Sequence, residues 1–157
     1  ANWMGWGMDY TTPFILVASS DTVEDLTRKL MRIGMDQALG YIERVDDLGL
    51  ALDKVQVVDF DTFTDMATSP GVQLLDVRGE NEYKAGHVKG AQLYFVGTLD
   101  RTLSTLDPSK PILLHCQGGD RAAIAYSLLK RGGFEEVANY SAGMNELLAK
   151  GYPLVAS

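Results

Sequence analysis

The chain has 157 residues, 46% hydrophobic and 22% charged, a balance that suits a folded protein of one domain or slightly more and is too apolar for intrinsic disorder. Fourteen Lys and Arg stand against 21 Asp and Glu, and the net charge of −7 argues against a nucleic acid or an anionic membrane as partner, because phosphate contacts need a basic face. Cys116 is the lone cysteine and His87 and His115 the two histidines, which excludes an internal disulfide framework and a cysteine- or histidine-rich metal site; a reducing cytoplasm is the expected setting.

The chain opens on Ala1 rather than Met, and a piece of a longer protein is expected. Trp3, Trp6 and Tyr10, spaced by Gly5 and Gly7, are dense enough in aromatics to expect packing on a neighbour. Phe14 to Val17 is the first short apolar run and reads as a strand. Asp21 with Glu24 three residues on is expected to cap a helix over 22–32, whose Val23, Leu26, Leu30 and Ile33 form one apolar stripe ending at Gly34. The acidic stretch Arg44 to Lys54 is the expected joint. Further apolar runs at Val55–Val58, Gln73–Val77, Ala91–Phe95 and Pro111–Leu114 read as strands buried on both faces. A helix is expected from Arg121 to Arg131, capped by Asp120 and stopped by Gly132 and Gly133; another is expected from Asn145 to Lys150. No apolar run approaches the roughly 18 residues that cross a bilayer. Strands alternating with helices predict an α/β fold around a parallel sheet.

The two capped helices also align with each other. Pro13–Ser19 matches Pro111–Gln117 at a spacing of 98, and Arg32–Tyr41 matches Arg131–Tyr140 at 99. The expected organisation is therefore an incomplete first copy in residues 1–52 and a complete domain in 53–157, with Ala18 where the second copy has Cys116.

Cys116 ends an apolar strand and precedes Gln117-Gly118-Gly119-Asp120-Arg121, which opens a helix. Two glycines let the backbone turn its N–H groups inward as an anion nest, and the helix start adds orphan donors and the positive end of its dipole. A thiol in that position is expected to be held as thiolate, the reactive form, and the same nest would hold a persulfide or an oxyanion. Cysteine phosphatases use a similar junction, with His-Cys, five residues and then Arg. Here four residues separate Cys116 from Arg121, and the position a phosphatase needs holds Ala122. The shorter loop suits one added sulfur atom better than a phosphate.

Over about 100 residues the sequence resembles a rhodanese domain. Leu75-Asp76-Val77-Arg78, Glu82-Tyr83 and Gly86-His87-Val88-Lys89-Gly90-Ala91 are similar to that family's upstream signature, and Cys116 to Arg121 is similar to its six-residue active loop. With the first copy included, the chain resembles the C-terminal part of fusions that join a metallo-β-lactamase-fold persulfide dioxygenase to rhodanese domains. The resemblance implies a rhodanese-like parallel sheet with helices on both faces, preceded by a degenerate half-rhodanese repeat. It implies sulfane-sulfur transfer with no metal or organic cofactor. Cys116 would be the nucleophile, and Gln117, Gly118, Gly119, Asp120 and Arg121 would bind the transferred sulfur and its donor. Thiosulfate or a low-molecular-weight persulfide would give the sulfur; a thiol, sulfite or cyanide would take it.

The same resemblance makes Asp76, Arg78, Glu82 and His87 structural supports and pairs Arg78 with Glu82. Arg121 is expected to shape the loop and add positive potential. His115, by strand alternation, should point away from Cys116. Asp120 as a carboxylate in the loop disfavours a dianionic donor and leans toward a thiol persulfide. The expected partners are the small-molecule donor and acceptor, an attached or separate persulfide dioxygenase domain, and, through the exposed sheet edges of a half-domain, a second copy of the chain. A non-catalytic sulfur-carrier module is the alternative to an enzyme.

Overall fold

The computed structural model describes residues 3–52 and 54–156 and divides into two compact units, Ala1–Asp53 and Lys54–Ser157. Ala1, Asp53 and Ser157, which bound the two parts expected from the sequence, lie outside the described residues.

In the first unit a one-turn helix α1 (Met4–Gly7) precedes strand β1 (Phe14–Val17), helix α2 (Val23–Met31) and strand β2 (Ala38–Ile42). β1 and β2 pair in parallel, joined across by α2. Leu16, Leu30 and Met35 form a small core to which Met4, Met8, Phe14, Val23 and Ile33 add their apolar atoms. Trp3 and Tyr10 remain 40% and 49% exposed. The expected Asp21 cap is not made. α2 starts one residue later than expected, after Thr22, whose hydroxyl lies 2.8 Å from that of Ser19 and caps no helical N–H. What supports the exposed side of α2 is the pair of (i, i+4) bridges Glu24–Arg28 and Asp25–Lys29.

The second unit is built on strands β3 (Gln73–Asp76), β4 (His87–Val88), β5 (Gln92–Leu93), β6 (Ile112–His115), β7 (Val137–Tyr140) and β8 (Leu154–Val155). Its helices are α3 (Phe60–Thr68), α4 (Glu80–Ala85), α5 (Leu99–Thr102), α6 (Asp120–Arg131) and α7 (Gly143–Ala149). Four strands form one parallel sheet in the order β5-β3-β6-β7, while β4 and β8 form a separate antiparallel pair. Every residue of β6 and β7 is buried, as continuous apolar strands between two helical layers should be. On one face Phe63 of α3 and Met144 and Leu147 of α7 pack with Leu74, Leu113, Ala138 and Tyr140; the Phe63 and Tyr140 rings stack at 4.4 Å. On the other, α6 buries Ala122, Ala125 and Leu129 with no exposed surface. The expected Val55–Val58 strand is reduced to a single parallel bridge, Val57 to Asn139, at the β7 edge, and the Ala91–Phe95 strand to two residues.

The two units share detailed hydrogen bonds at the offsets read from the sequence. Phe14 N–H donates to the Gln37 carbonyl as Ile112 N–H does to Glu136. Met35 N–H donates to the Leu30 carbonyl as Phe134 N–H does to Leu129, each after a glycine of positive φ (Gly34 +82°, Gly133 +88°). The match then lapses. A bulge between Phe14 and Ile15 shifts the β1–β2 register by one residue, whereas β6 and β7 pair without interruption. The faces differ as well: Ile15, Val17, Leu39 and Tyr41 are exposed, and the residues at the matching positions, Leu113, His115, Ala138 and Tyr140, are buried.

Phe63, fully buried and stacked on Tyr140, ties α3 to the sheet. Phe63→Ala is expected to lower stability by about 3–5 kcal/mol, read from urea unfolding, through lost burial and the cavity left behind.

Candidate active site

Cys116 follows the last residue of β6 and is 1% exposed. The chain then turns through Gln117 and Gly118 to Gly119, the N-cap of α6, whose φ of +99° only glycine adopts freely. That conformation aims the Gly119 N–H at the Cys116 sulfur, 3.1 Å away. A Cβ on Gly119 would also stand 2.4 Å from the Ser141 carbonyl oxygen, so glycine is required here twice over. Asp120 is therefore not the cap expected from the sequence. It is the first residue of α6, exposed, with no side-chain bond to the helix N–H groups, because the positive-φ glycine already makes the turn.

The loop is held from behind by the β7–α7 junction. Met144 N–H donates to the Cys116 carbonyl at 2.9 Å and Asn145 N–H to the Gln117 carbonyl at 3.1 Å. Gly143 permits this approach: its φ is +59°, and a Cβ there would fall 2.5 Å from the Cys116 carbonyl oxygen. At the surface the Gln117 amide donates to Asn145 Oδ1 at 2.8 Å. Sequence reading missed Ser141, Gly143, Met144 and Asn145. Asn145 lies 28 residues from its partner Gln117, and the one available signal was a glycine closing a tight turn between an apolar strand and a helix.

Arg121, in the first turn of α6, reaches α4. Its Nη1 donates to Glu82 Oε2 at 2.6 Å and its Nη2 to Oε1 at 2.8 Å, a two-pronged bond. Glu82 Oε2 also accepts the Gly79 N–H at 3.0 Å, and with Arg121 as the main cause its carboxyl is held down to about 2. Arg121 is pushed further toward its charged form by Glu82 first and by the adjacent Cys116 as well. This overturns the expected Arg78–Glu82 pair. Arg78 instead bonds Asp76 through Nε and Nη2 at 2.7–3.0 Å, and its Nη2 also donates to the Gly86 carbonyl. Asp76 and Arg78 are both buried, so each supplies the partner without which the other would be an uncompensated charge. The pair braces the β3 end from within, while Glu82 is turned to the active loop.

His87 accepts a supporting place: Nδ1 lies 2.9 Å from the Tyr83 carbonyl oxygen and the ring stacks on Tyr83 at 3.7 Å. His115 is fully buried and meets Phe63 edge-on at 6.0 Å, on the face opposite the α6 layer, as alternation required. Neither ring nitrogen has a hydrogen-bond partner, and Nε2 is 3.9 Å from Asp76 Oδ2. Burial pushes its pKa down to about 4, against the partial opposition of Asp76. The imidazole is thus neutral at physiological pH and supplies shape rather than charge. Among the described residues no group of three or more His, Cys, Asp or Glu could hold a metal ion, and no helix is long and apolar enough to cross a membrane.

Two measurements test this geometry. Gly143→Ala should cost about 2–4 kcal/mol in urea unfolding, from left-handed backbone and a collision with the loop, whereas Gly151→Ala (φ +66°, open space) should cost about 1 kcal/mol. For His115 the folded value of about 4 lies below the ordinary histidine value of 6.5, so the unfolded chain takes up the proton first as pH falls. Stability is therefore full above about pH 6.5 and declines toward pH 4, by about 2 kcal/mol between pH 7.5 and 5. His115→Leu should abolish that decline, and an unchanged profile would assign it to another group.

Comparison with known proteins agrees with the geometry. The sequence profile described as Rhodanese-like domain matches residues 59–150, more than half of the chain. Thiosulfate sulfurtransferase 18 of Arabidopsis thaliana is 30% identical over 98 residues, which cover 54% of this chain and 72% of that protein. The putative sulfur carrier protein YrkF of Bacillus subtilis is 25% identical over 126 residues, 80% of this chain and 63% of its own length. The human single-domain sulfurtransferase TSTD1 superposes with a TM-score of 0.54 at 26% identity, covering 62% of this chain and 98% of that structure. This chain spans about six-tenths or less of the length of several curated relatives that it matches. The chain belongs to the rhodanese-like domain family.

Proposed function

We propose that the chain is a sulfurtransferase that moves sulfane sulfur through a persulfide on Cys116. The observation that carries this reading is the Gly119 N–H held 3.1 Å from the Cys116 sulfur by a loop too short for a phosphate, with Arg121 beside it. The thiolate of Cys116 attacks the outer sulfur of thiosulfate or of a low-molecular-weight persulfide. Sulfite or a thiolate departs with the bonding electron pair. The loop N–H and Arg121 stabilise the charge that the added sulfur carries, and a thiol, sulfite or cyanide then removes that sulfur. Gln117, Gly118 and Asp120 line the approach. Asp76, Arg78, Glu82 and His87 do not react; they fix the strand end and the arginine.

Residues 1–52 are, on this reading, a silent half-repeat. Ala18 stands at the position of Cys116 and has no thiol to load. The setting it calls for is a reducing cytoplasm, with an attached or separate persulfide dioxygenase as source of the sulfur and self-association as one way to cover the exposed sheet edges of the half-repeat. A second reading, a carrier that receives sulfur and hands it on without turnover, is favoured by the likeness to the putative sulfur carrier YrkF.

Intact-mass measurement after incubation with thiosulfate or glutathione persulfide should show a gain of about 32 Da, one sulfur atom, that is absent in Cys116→Ser. Continuous thiocyanate release in cyanide then marks an enzyme; loading without release marks a carrier. No gain with any donor would overturn both.

A further inference from the structure

The charges at the mouth of the site separate the two donor classes that the proposed sulfur transfer leaves open, and the inference below rests on that proposal. Arg121 is the cation beside the sulfur, yet both of its Nη atoms are already bonded to Glu82, at 2.6 and 2.8 Å. With its pKa held to about 2, Glu82 stays ionised throughout the functional pH range, so the pair is close to neutral as seen by an approaching donor. Asp120, exposed at the first position of α6, adds a negative charge that no helix cap absorbs. Beside the loop stands the uncharged Gln117–Asn145 amide pair. The helix start contributes donors, but the N–H groups of Met144 and Asn145, on the neighbouring helix, are spent on the Cys116 and Gln117 carbonyls.

Donors differ in the charge that they bring to this mouth. With thiosulfate, a bond forms from Cys116 Sγ to the terminal sulfur and the bond from that sulfur to the sulfonate breaks. Sulfite leaves with the electron pair, and a thiolate and a dianion together put three negative charges into the site. With a hydropersulfide R–S–SH, the new bond forms to the outer sulfur, the S–S bond breaks, and R–S⁻ leaves with the pair while the hydrogen stays on the transferred sulfur. The reacting sulfurs carry one negative charge throughout. A mouth holding one cation and two carboxylates penalises the first route far more than the second.

We infer that this site takes its sulfur from the hydropersulfide of a small thiol and discriminates against thiosulfate, because Glu82 neutralises Arg121 and Asp120 repels dianions at the entrance.

The test is the rate at which the full chain gains one sulfur on Cys116, followed by intact mass, with thiosulfate and with cysteine hydropersulfide at equal concentrations. The hydropersulfide should load at least tenfold faster. Raising ionic strength from about 0.02 to 0.2 M should narrow that ratio, since screening relieves the repulsion of the dianion. Asp120→Asn and Glu82→Gln should each narrow it severalfold; a variant that merely loosened the loop would slow both donors and leave the ratio in place. Asp120 is exposed, so its variant keeps the test open should Glu82→Gln fold poorly. Thiosulfate loading as fast as hydropersulfide, or a ratio indifferent to both salt and Asp120→Asn, overturns this inference while leaving sulfur transfer intact. Loading by neither donor overturns the transfer itself.

Discussion

The active loop depends on an interlock between two backbone turns. Gly119 sits against the Ser141 carbonyl at a separation that admits no side chain, and Gly143 sits equally close to the Cys116 carbonyl. Two N–H groups at the start of α7 then fasten the Cys116 and Gln117 carbonyls. Those carbonyls would otherwise face the site as acceptors and repel a thiolate. With them bonded rearward, the loop presents its donor side to the Cys116 sulfur, and the Gly119 N–H is aimed at it in advance.

Around this interlock the unit divides its charges into two assemblies. The Asp76–Arg78 pair is internal, closes on the Gly86 carbonyl, and fixes the end of β3 at the level where β6 gives way to the active loop. The Glu82–Arg121 pair lies nearer the surface and joins α4 to α6. Loss of Arg78 would leave the Asp76 carboxylate buried without a cation, and loss of Glu82 would leave Arg121 without its two-pronged partner. Residue type alone cannot distinguish the two pairings, because either arginine could serve either carboxylate. What decides is reach: Arg78 is two residues from Asp76 and bonds it within one turn of backbone, while Arg121 reaches Glu82 only through the folded contact of two helices.

This explains which parts were legible before folding. The buried strands β3, β6 and β7 announce themselves as aliphatic runs, and Cys116 stands out because two glycines and a helix start follow it directly. The rhodanese-like fold follows from those local signals. The Asp120 cap expected from the sequence is not made, since a glycine of positive φ performs the same turn without a side chain. The Val55–Val58 run is apolar enough for a strand but makes only one bridge at the sheet edge. The junction Ser141–Asn145 leaves no pattern in sequence because its role is defined by carbonyls 26 to 28 residues away and by the space at Gly143.

The differences between the two units bear on whether the first could hold the chemistry proposed for the second. A thiol placed at Ala18 would lack the loop that surrounds Cys116. The segment that follows, Ser19-Ser20-Asp21-Thr22, has no glycine to take the left-handed turn, and the Ser19 and Thr22 hydroxyls are engaged with each other. The bulge ahead of it has also displaced the strand by one step against its neighbour. The first unit thus differs from the second in backbone, turn and register as well as in the thiol, and a cysteine at Ala18 alone would not reproduce the Cys116 loop.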